Sequence, residues 1–304
     1  MFWAQKTLKD EIACTGIGLH SGQKVNLRMR PALPNTGIVF KRVDLPGKPE
    51  VKAHVLNVAD NRLATTIGQD GVTVSTIEHL LAAFWSMGVD NAIVELDAPE
   101  VPIMDGSAAP FVYLIKSTGL KVQLASKKIF VLKRPLRVRE GDKWIHLTPV
   151  SELELTVHFM IDFDHPLLKK QTYTFHFSPT RFEKEISRAR TFGFLKEVEW
   201  LRAQGLARGG SLDNAVVIDE FRILNKEGLR YKNEFVRHKI LDLVGDLALL
   251  GCPLIAKINA YKSGHALNHK LAKQIWRNQH LGQIITLTPP QKTAITEEAT
   301  FCSR

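Results

Sequence analysis

The segment FVRHKILDLVGDLALLG, residues 235–251, decides how the second half of the chain is read. Ile240, Leu241, Val244, Leu247 and Ala248 fall on one stripe of a helix that turns every 3.6 residues. A second stripe carries His238, Asp242 and Asp246, each four residues from the last, with Lys239 beside it. A surface helix would mix lysines and glutamates here. One imidazole and two short carboxylates point instead to chemistry. His238 and Asp242 can reach a single point, which makes them candidates for half of a zinc site. A catalytic zinc takes three protein ligands and keeps one position open for water, so the third ligand must come from elsewhere in the chain.

Around this helix the sequence reads as strands and helices in a repeating order. Before it come the strands KIFVLKRPLRV (128–138), KWIHLTPV (143–150), LELTVHFMIDF (153–163) and QTYTFHF (171–177), then a helix SPTRFEKEISRA (178–189) opened by Ser178 and Pro179. An irregular stretch containing GLARGGSLDN (205–214) leads to a short strand AVVID (215–219). After it come a strand PLIAKINAY (253–261) and a helix GHALNHKLAKQIWRN (264–278). The first part of the chain repeats the plan. Strands KVNLRMRP (24–31), TGIVFKRV (36–43) and VTVST (72–76) precede a helix STIEHLLAAFWSMG (75–88), with Ser75 as N-cap and Gly88 as stop. A strand NAIVELD (91–97) and a helix GSAAPFVYLIKSTG (106–119) follow. The expectation is an α+β protein of two similar domains, residues 1–125 and 126–280, with a loose tail at 281–304. GIGLHSG (16–22) lacks the spacing of a dinucleotide fingerprint, and there is no Walker loop and no GxSxG.

Composition narrows the class. With 304 residues, 44% hydrophobic, the chain can bury real cores. MFWAQKTLKDEIA lacks the apolar core of a signal peptide, and the longest nearly apolar run, LALLGCPLIA (247–256), is too short to span a bilayer. Three cysteines (Cys14, Cys252, Cys302) in no metal spacing argue against a disulfide framework and for a reducing cytoplasm. Any metal would then be held by histidine and carboxylate. The net charge of +10 biases the protein toward anionic ligands. No basic run exceeds two residues, which is thin for a nucleic-acid arm.

The third ligand candidate is His79, in TIEHLLAA, and its neighbour Glu78 is a candidate general base for a metal-activated water. His265, in YKSGHALNH, could stabilise an oxyanion and protonate a leaving amine. Each has a plainer reading. Ser75 to Glu78 fits a capping box, so Glu78 could merely cap its helix. His79 could be a satisfied core histidine, and His238 with Asp242 an ordinary helix-face pair. His265 and His269 also sit four apart and could form a competing metal pair. Spacing does not choose between them.

The segments TGIGLHSG (15–22), STIEHLLAA (75–83), VPIMDGSAAPFVYL (101–114), ISRARTFGF (186–194), EFVRHKILDLVGDL (234–247) and AYKSGHALN (260–268) together resemble the UDP-3-O-acyl-N-acetylglucosamine deacetylases, zinc amidases of lipid A synthesis. The resemblance runs from Lys6 to about Lys273. It implies metal ligands at His79, His238 and Asp242, a general base at Glu78, a second catalytic histidine at His265 and an orienting carboxylate at Asp246. It implies an oxyanion-holding hydroxyl at Thr191 and a substrate-binding lysine at Lys239. Phe192 would line the sugar, Phe163 would pack on uracil, and Lys143 and Lys262 would lie near the nucleotide and diphosphate. Leu19, Gly210 and the segment 194–217 would wall an apolar passage for the acyl chain, with Gly209 and Gly210 as its narrowing element. A cysteine found near the metal in some members is absent; Ala64 stands near that point. His269 has no metal role in the family, which demotes the competing pair.

The resemblance further implies two sheets with helices sandwiched between them and a site between the domains. The expected cofactor is one Zn²⁺, with Fe²⁺ able to occupy the same site. The expected partner is the UDP-3-O-acyl-N-acetylglucosamine substrate, not nucleic acid, and the expected state a cytoplasmic monomer that could visit the inner membrane surface. Two rivals stand beside it: a basic metal-free nucleic-acid module, and a zinc amidase acting on another acylated amino sugar.

Overall fold

The computed structural model describes residues 3–288 apart from residue 167; most of the expected tail, with Cys302, lies outside the described residues. Lys24–Pro31 shows how the strands follow from the pattern. Val25, Leu27 and Met29 are buried, and the residues between them are exposed, as a period of two requires. This strand is the second of a five-stranded sheet in the order Ile12–Ile17, Lys24–Pro31, Ala92–Leu96, Ile38–Arg42, Glu50–Lys52. Ala4–Leu8 pairs with Leu120–Ser126 in a separate ribbon, and Val58–Asp60, Thr66–Gln69 and Val72–Val74 form a small three-stranded sheet.

The second half builds a seven-stranded sheet. Its path runs Leu136–Glu140, Lys143–Thr148, Leu254–Tyr261, Lys128–Leu132, Gly282–Thr286. Leu155–Ile161 pairs in parallel with Leu254–Tyr261, and Gln171–His176 continues beyond it. The α-helices are α1 (Glu78–Met87), α2 (Ala109–Thr118), α3 (Pro179–Arg181), α4 (Leu195–Ala203), α5 (Glu234–Ala248) and α6 (His265–Arg277).

One hydrophobic cluster joins the two halves. It runs from Leu27, Phe40 and Val94 of the first sheet through Leu80 and Phe84 of α1 and Ile240, Leu241 and Val244 of α5. It ends on Val157, Phe159 and Ile258 of the second sheet. The helices are therefore the filling between two sheets. Buried nearly all round, α5 carries its polar stripe into the interior with it. Gly245 lets α1 come close: a Cβ there would lie 2.1 Å from the carbonyl oxygen of Glu78. That approach sets the first turn of α1 on α5 about two turns beyond His238.

Several elements differ from the sequence reading. Residues 128–138 make two strands, because the amides of Lys133 and Arg134 both donate to the Leu281 carbonyl and bend the chain before Pro135. The helix expected at 178–189 is one α-turn followed by a π-helical turn, Phe182–Ile186. The stretch read as irregular contains α4 between two short parallel strands, Phe192–Phe194 and Val216–Ile218. Residues 282–286, expected to open the tail, instead pair antiparallel with Lys128–Leu132 and belong to the second sheet. Among the described residues no helix is long and apolar enough to cross a membrane.

Candidate active site

α1 starts late. Ser75 does not cap it: its hydroxyl donates to the Pro99 carbonyl, Thr76 takes a left-handed φ of 57°, and Ile77 occupies the N-cap with no side-chain bond. The capping box therefore does not form, and Glu78 is released from its helix end. Its carboxylate is turned inward and buried, with Oε2 accepting from the Thr65 amide at 3.1 Å. His79, the next residue, points to the same place.

His79, His238 and Asp242 each offer one ligand atom, all within 4.8 Å of one another, and all three side chains are buried. Asp242 Oδ1 lies 3.2 Å from His238 Nε2 and 3.7 Å from His79 Nε2. That oxygen is buried and has no hydrogen-bond partner among the described residues. A buried carboxylate oxygen left unsatisfied is costly unless something else fills the space between it and the two ring nitrogens. A divalent cation does so, and the donor set of two imidazoles and one carboxylate suits zinc or iron(II).

The surroundings prepare the donors. His238 Nδ1 donates to the Ala189 carbonyl at 3.0 Å, which fixes the tautomer with Nε2 bare. Burial pushes its pKa down to about 3, so the ring is neutral. Burial works against ionisation of Asp242, but His238 and Lys239 outweigh it and hold its pKa well below the usual carboxylate range. Lys239 Nζ donates to Asp242 Oδ2 at 2.8 Å and stands 5.5 Å from the centre of the Phe192 ring.

On the open side of this triad lie Glu78 and His265. His265 Nε2 is 3.8 Å from Glu78 Oε1 and 4.0 Å from Asp242 Oδ2. Its Nδ1 donates to Asp246 Oδ2 at 2.9 Å. Burial lowers the pKa of His265, yet the charges of Asp246, Glu78 and Asp242 outweigh it and raise it to about 10. Burial raises the pKa of Glu78, with the nearby His265 and His79 partly opposing it. A carboxylate and an imidazole thus face each other beside the donors.

The other expected residues are distributed around this centre. Thr191 and Phe192 line a cavity of about 410 Å³, whose walls include Leu19, Leu63, Val198, Leu201, Ala207 and Gly210. Gly209 approaches the backbone so closely that a Cβ would lie 2.2 Å from the Gly18 carbonyl oxygen. Its amide donates to the Leu19 carbonyl at 3.0 Å, which packs this turn against the 18–22 loop. Phe163 packs edge-to-face on Phe192 and Phe194, at 5.9 and 5.7 Å between ring centres. Lys143 and Lys262 stand apart from the donors, beside Asp142, to which Lys262 Nζ donates at 3.0 Å. Ala64 adjoins Thr65 against the site. His269 is not drawn in: Nε2 bonds the Val55 carbonyl and Nδ1 takes Asn61.

Sequence reasoning missed four supports. Thr65, Asn268, Gly245 and the Arg190–Glu234 pair all act at a distance in sequence. Arg190 is 1% exposed, and its Nε and backbone amide both donate to Glu234 Oε1, which ties the segment carrying Ala189 and Thr191 to the start of α5. Only Gly245, a glycine inside a regular helical pattern, left a local signal.

Three metal-capable donors backed by a buried carboxylate and an imidazole are the parts of a metal-assisted hydrolase. The chain belongs to the UDP-3-O-acyl N-acetylglycosamine deacetylase family, whose model matches residues 5–277. It is 53% identical over 294 residues, 96% of each chain, to the UDP-3-O-acyl-N-acetylglucosamine deacetylase of Saccharophagus degradans. It is 53% identical over 275 residues to the protein of that name from Syntrophus aciditrophicus, covering 90% of this chain and 87% of the other. It is 52% identical over 283 residues, 92% of each, to that of Acidithiobacillus ferrooxidans.

Proposed function

We propose that this protein hydrolyses the acetamide of UDP-3-O-(3-hydroxyacyl)-N-acetylglucosamine, releasing acetate and a free amine in lipid A biosynthesis, with one zinc ion held by His79, His238 and Asp242. The observation that carries the reading is the orphaned Asp242 Oδ1 between two bare imidazole nitrogens, with Glu78 and His265 opposed beside it, in a chain of this family. When bound, the ion supplies Lewis acidity: it acidifies a water and polarises the amide carbonyl. Iron(II) fits the same donors.

Glu78 takes the proton from the attacking water; its Oε1 is the oxygen left facing the site. Thr191 donates a hydrogen bond to the developing oxyanion. His265, charged, steadies that oxyanion and delivers a proton to the departing amine. Asp246 holds His265 in orientation and in its charged form. Lys239, Phe192, Phe163, Lys143 and Lys262 bind the sugar nucleotide, and the cavity bounded by Leu19 and Gly210 takes the acyl chain. In this reading residues 1–125 form one domain, which supplies Glu78 and His79, and a second begins at about residue 126. The protein works as a cytoplasmic monomer.

The test is acetate release from UDP-3-O-acyl-N-acetylglucosamine by chelator-treated protein before and after one equivalent of zinc. Release that depends on zinc supports the reading. A folded protein that takes up zinc and releases no acetate defeats it.

A further inference from the structure

Asp246 is 1% exposed, and its carboxylate is held by three side chains. Oδ2 accepts from His265 Nδ1 at 2.9 Å and from Asn268 Nδ2 at 2.8 Å. Both donors lie on α6, and Asn268 is itself fixed by Ser263, whose hydroxyl donates to Asn268 Oδ1 at 2.6 Å. Oδ1 accepts from the hydroxyl of Thr65, which comes from the other half of the molecule. Thr65 is 2% exposed. Its amide donates to Glu78 Oε2 at 3.1 Å, and its carbonyl accepts the amide of Ile77, the residue before α1, at 3.4 Å. One residue thus touches both carboxylates that govern the acid–base pair.

We propose that Thr65 is a positioning residue that sets the two acid–base groups in register across the two halves, by aiming Glu78 with its amide and the Asp246–His265 pair with its hydroxyl. The physical reason is a division of labour between the two carboxylates. Glu78 has two oxygens, and only one can serve as base. The Thr65 amide occupies Oε2, which leaves Oε1 facing His265 Nε2 at 3.8 Å. Asp246 must stay oriented to hold His265. Buried as it is, it needs a donor on each oxygen, and a hydroxyl donates to a carboxylate with a short, charge-assisted bond. Without that hydroxyl, Oδ1 loses its hydrogen-bond donor inside the protein, and the carboxylate is free to turn about Oδ2. His265 would turn with it. Thr65 touches neither the metal donors nor the passage, so its loss should be felt in the proton-transfer steps and not in metal or substrate binding.

This inference rests on the deacetylase reading, and its test separates the two. Thr65→Val removes the hydroxyl, keeps the amide and nearly conserves the shape; Thr65→Ser keeps both hydroxyl and amide. In zinc-loaded full-length protein, Thr65→Val should lower kcat for acetate release by roughly 10–100-fold, the range typical of lost orienting bonds, with KM and bound zinc unchanged. Thr65→Ser should restore most of the rate. In an Asp246→Asn background, Thr65→Val should add no further loss, because the hydroxyl acts through that carboxylate. Should Thr65→Val fail to fold, Thr65→Ala makes the same comparison against Thr65→Ser. A Thr65→Val enzyme with wild-type kcat, a serine variant as slow as valine, or losses that multiply with Asp246→Asn would each overturn the proposal. Wild-type protein that releases no acetate overturns the deacetylase reading instead.

Discussion

The two halves of the molecule bring side chains to one point by different means. α5 contributes His238, Asp242 and Asp246 from the middle of a long buried helix, where helical repeat alone aligns them. α1 contributes Glu78 and His79 from its first turn, where alignment depends on a left-handed Thr76, a backbone contact to Thr65 and the close approach to Gly245. The α5 residues are therefore aligned by the helix itself, with Thr65 adding a bond to Asp246 from the first half. Glu78 and His79 are aimed by contacts from outside α1.

The sharpest way to break that comparison is to remove one donor from each side. His238→Ala and His79→Ala should both yield protein that, after dialysis, holds no zinc by metal analysis and releases no acetate. Retention of metal and rate by either variant would show that the halves do not share one centre. Next in size is the acid–base pair. Glu78→Gln and His265→Gln should each keep bound metal while kcat falls by ~10²–10⁴-fold.

The same pair predicts a bell-shaped dependence of kcat/KM on pH. Glu78 must be ionised, so activity falls as pH drops through its raised pKa; His265 must be protonated, so activity falls as pH rises through its own. His265 lies near 10 among its carboxylates, and a bound cation will draw both limbs lower. A profile flat from pH 5 to 10 would count against two titrating groups.

Gly245→Ala tests the aiming itself. The new methyl meets the Glu78 carbonyl, so α1 must shift, at a cost of about 1–3 kcal/mol in denaturant unfolding together with a loss of kcat. Unchanged kcat would mean that α1 can move without disturbing Glu78. The smallest effect is expected in the passage. Ala215→Leu narrows it, so the ratio of kcat/KM between a shorter and a longer acyl chain should shift by about 0.8 kcal/mol for each methylene excluded.

What could be read in advance follows the same division. The stripe on α5 was legible because i, i+4 spacing is local, and the strands around it because alternation is local. The direction in which Glu78 points was not legible from spacing. Its spacing from Ser75 equally suits a capping box, and the choice was made by Ser75 bonding the Pro99 carbonyl and by the turn at Thr76. Likewise α4 is amphipathic only weakly and is held by a parallel strand pair whose members are separated by the whole segment, so a local reading sees a loop. The strand Gly282–Thr286 was missed because only its pairing with Lys128–Leu132 gives it a reason to be extended.

By itself, then, the sequence determined the double plan of strands and helices, the polar face of α5 and, through its motifs, the family to which the chain belongs. The tertiary structure decided which histidine joined that face, choosing His79 over His269 by bringing α1 onto α5 at Gly245 while Val55 and Asn61 took both nitrogens of His269. It also decided that Glu78 faces inward and that Thr65 stands between the two carboxylates. The reason is physical: periodicity fixes what lies along one helix, whereas a site assembled across an interface depends on contacts between residues far apart in the chain.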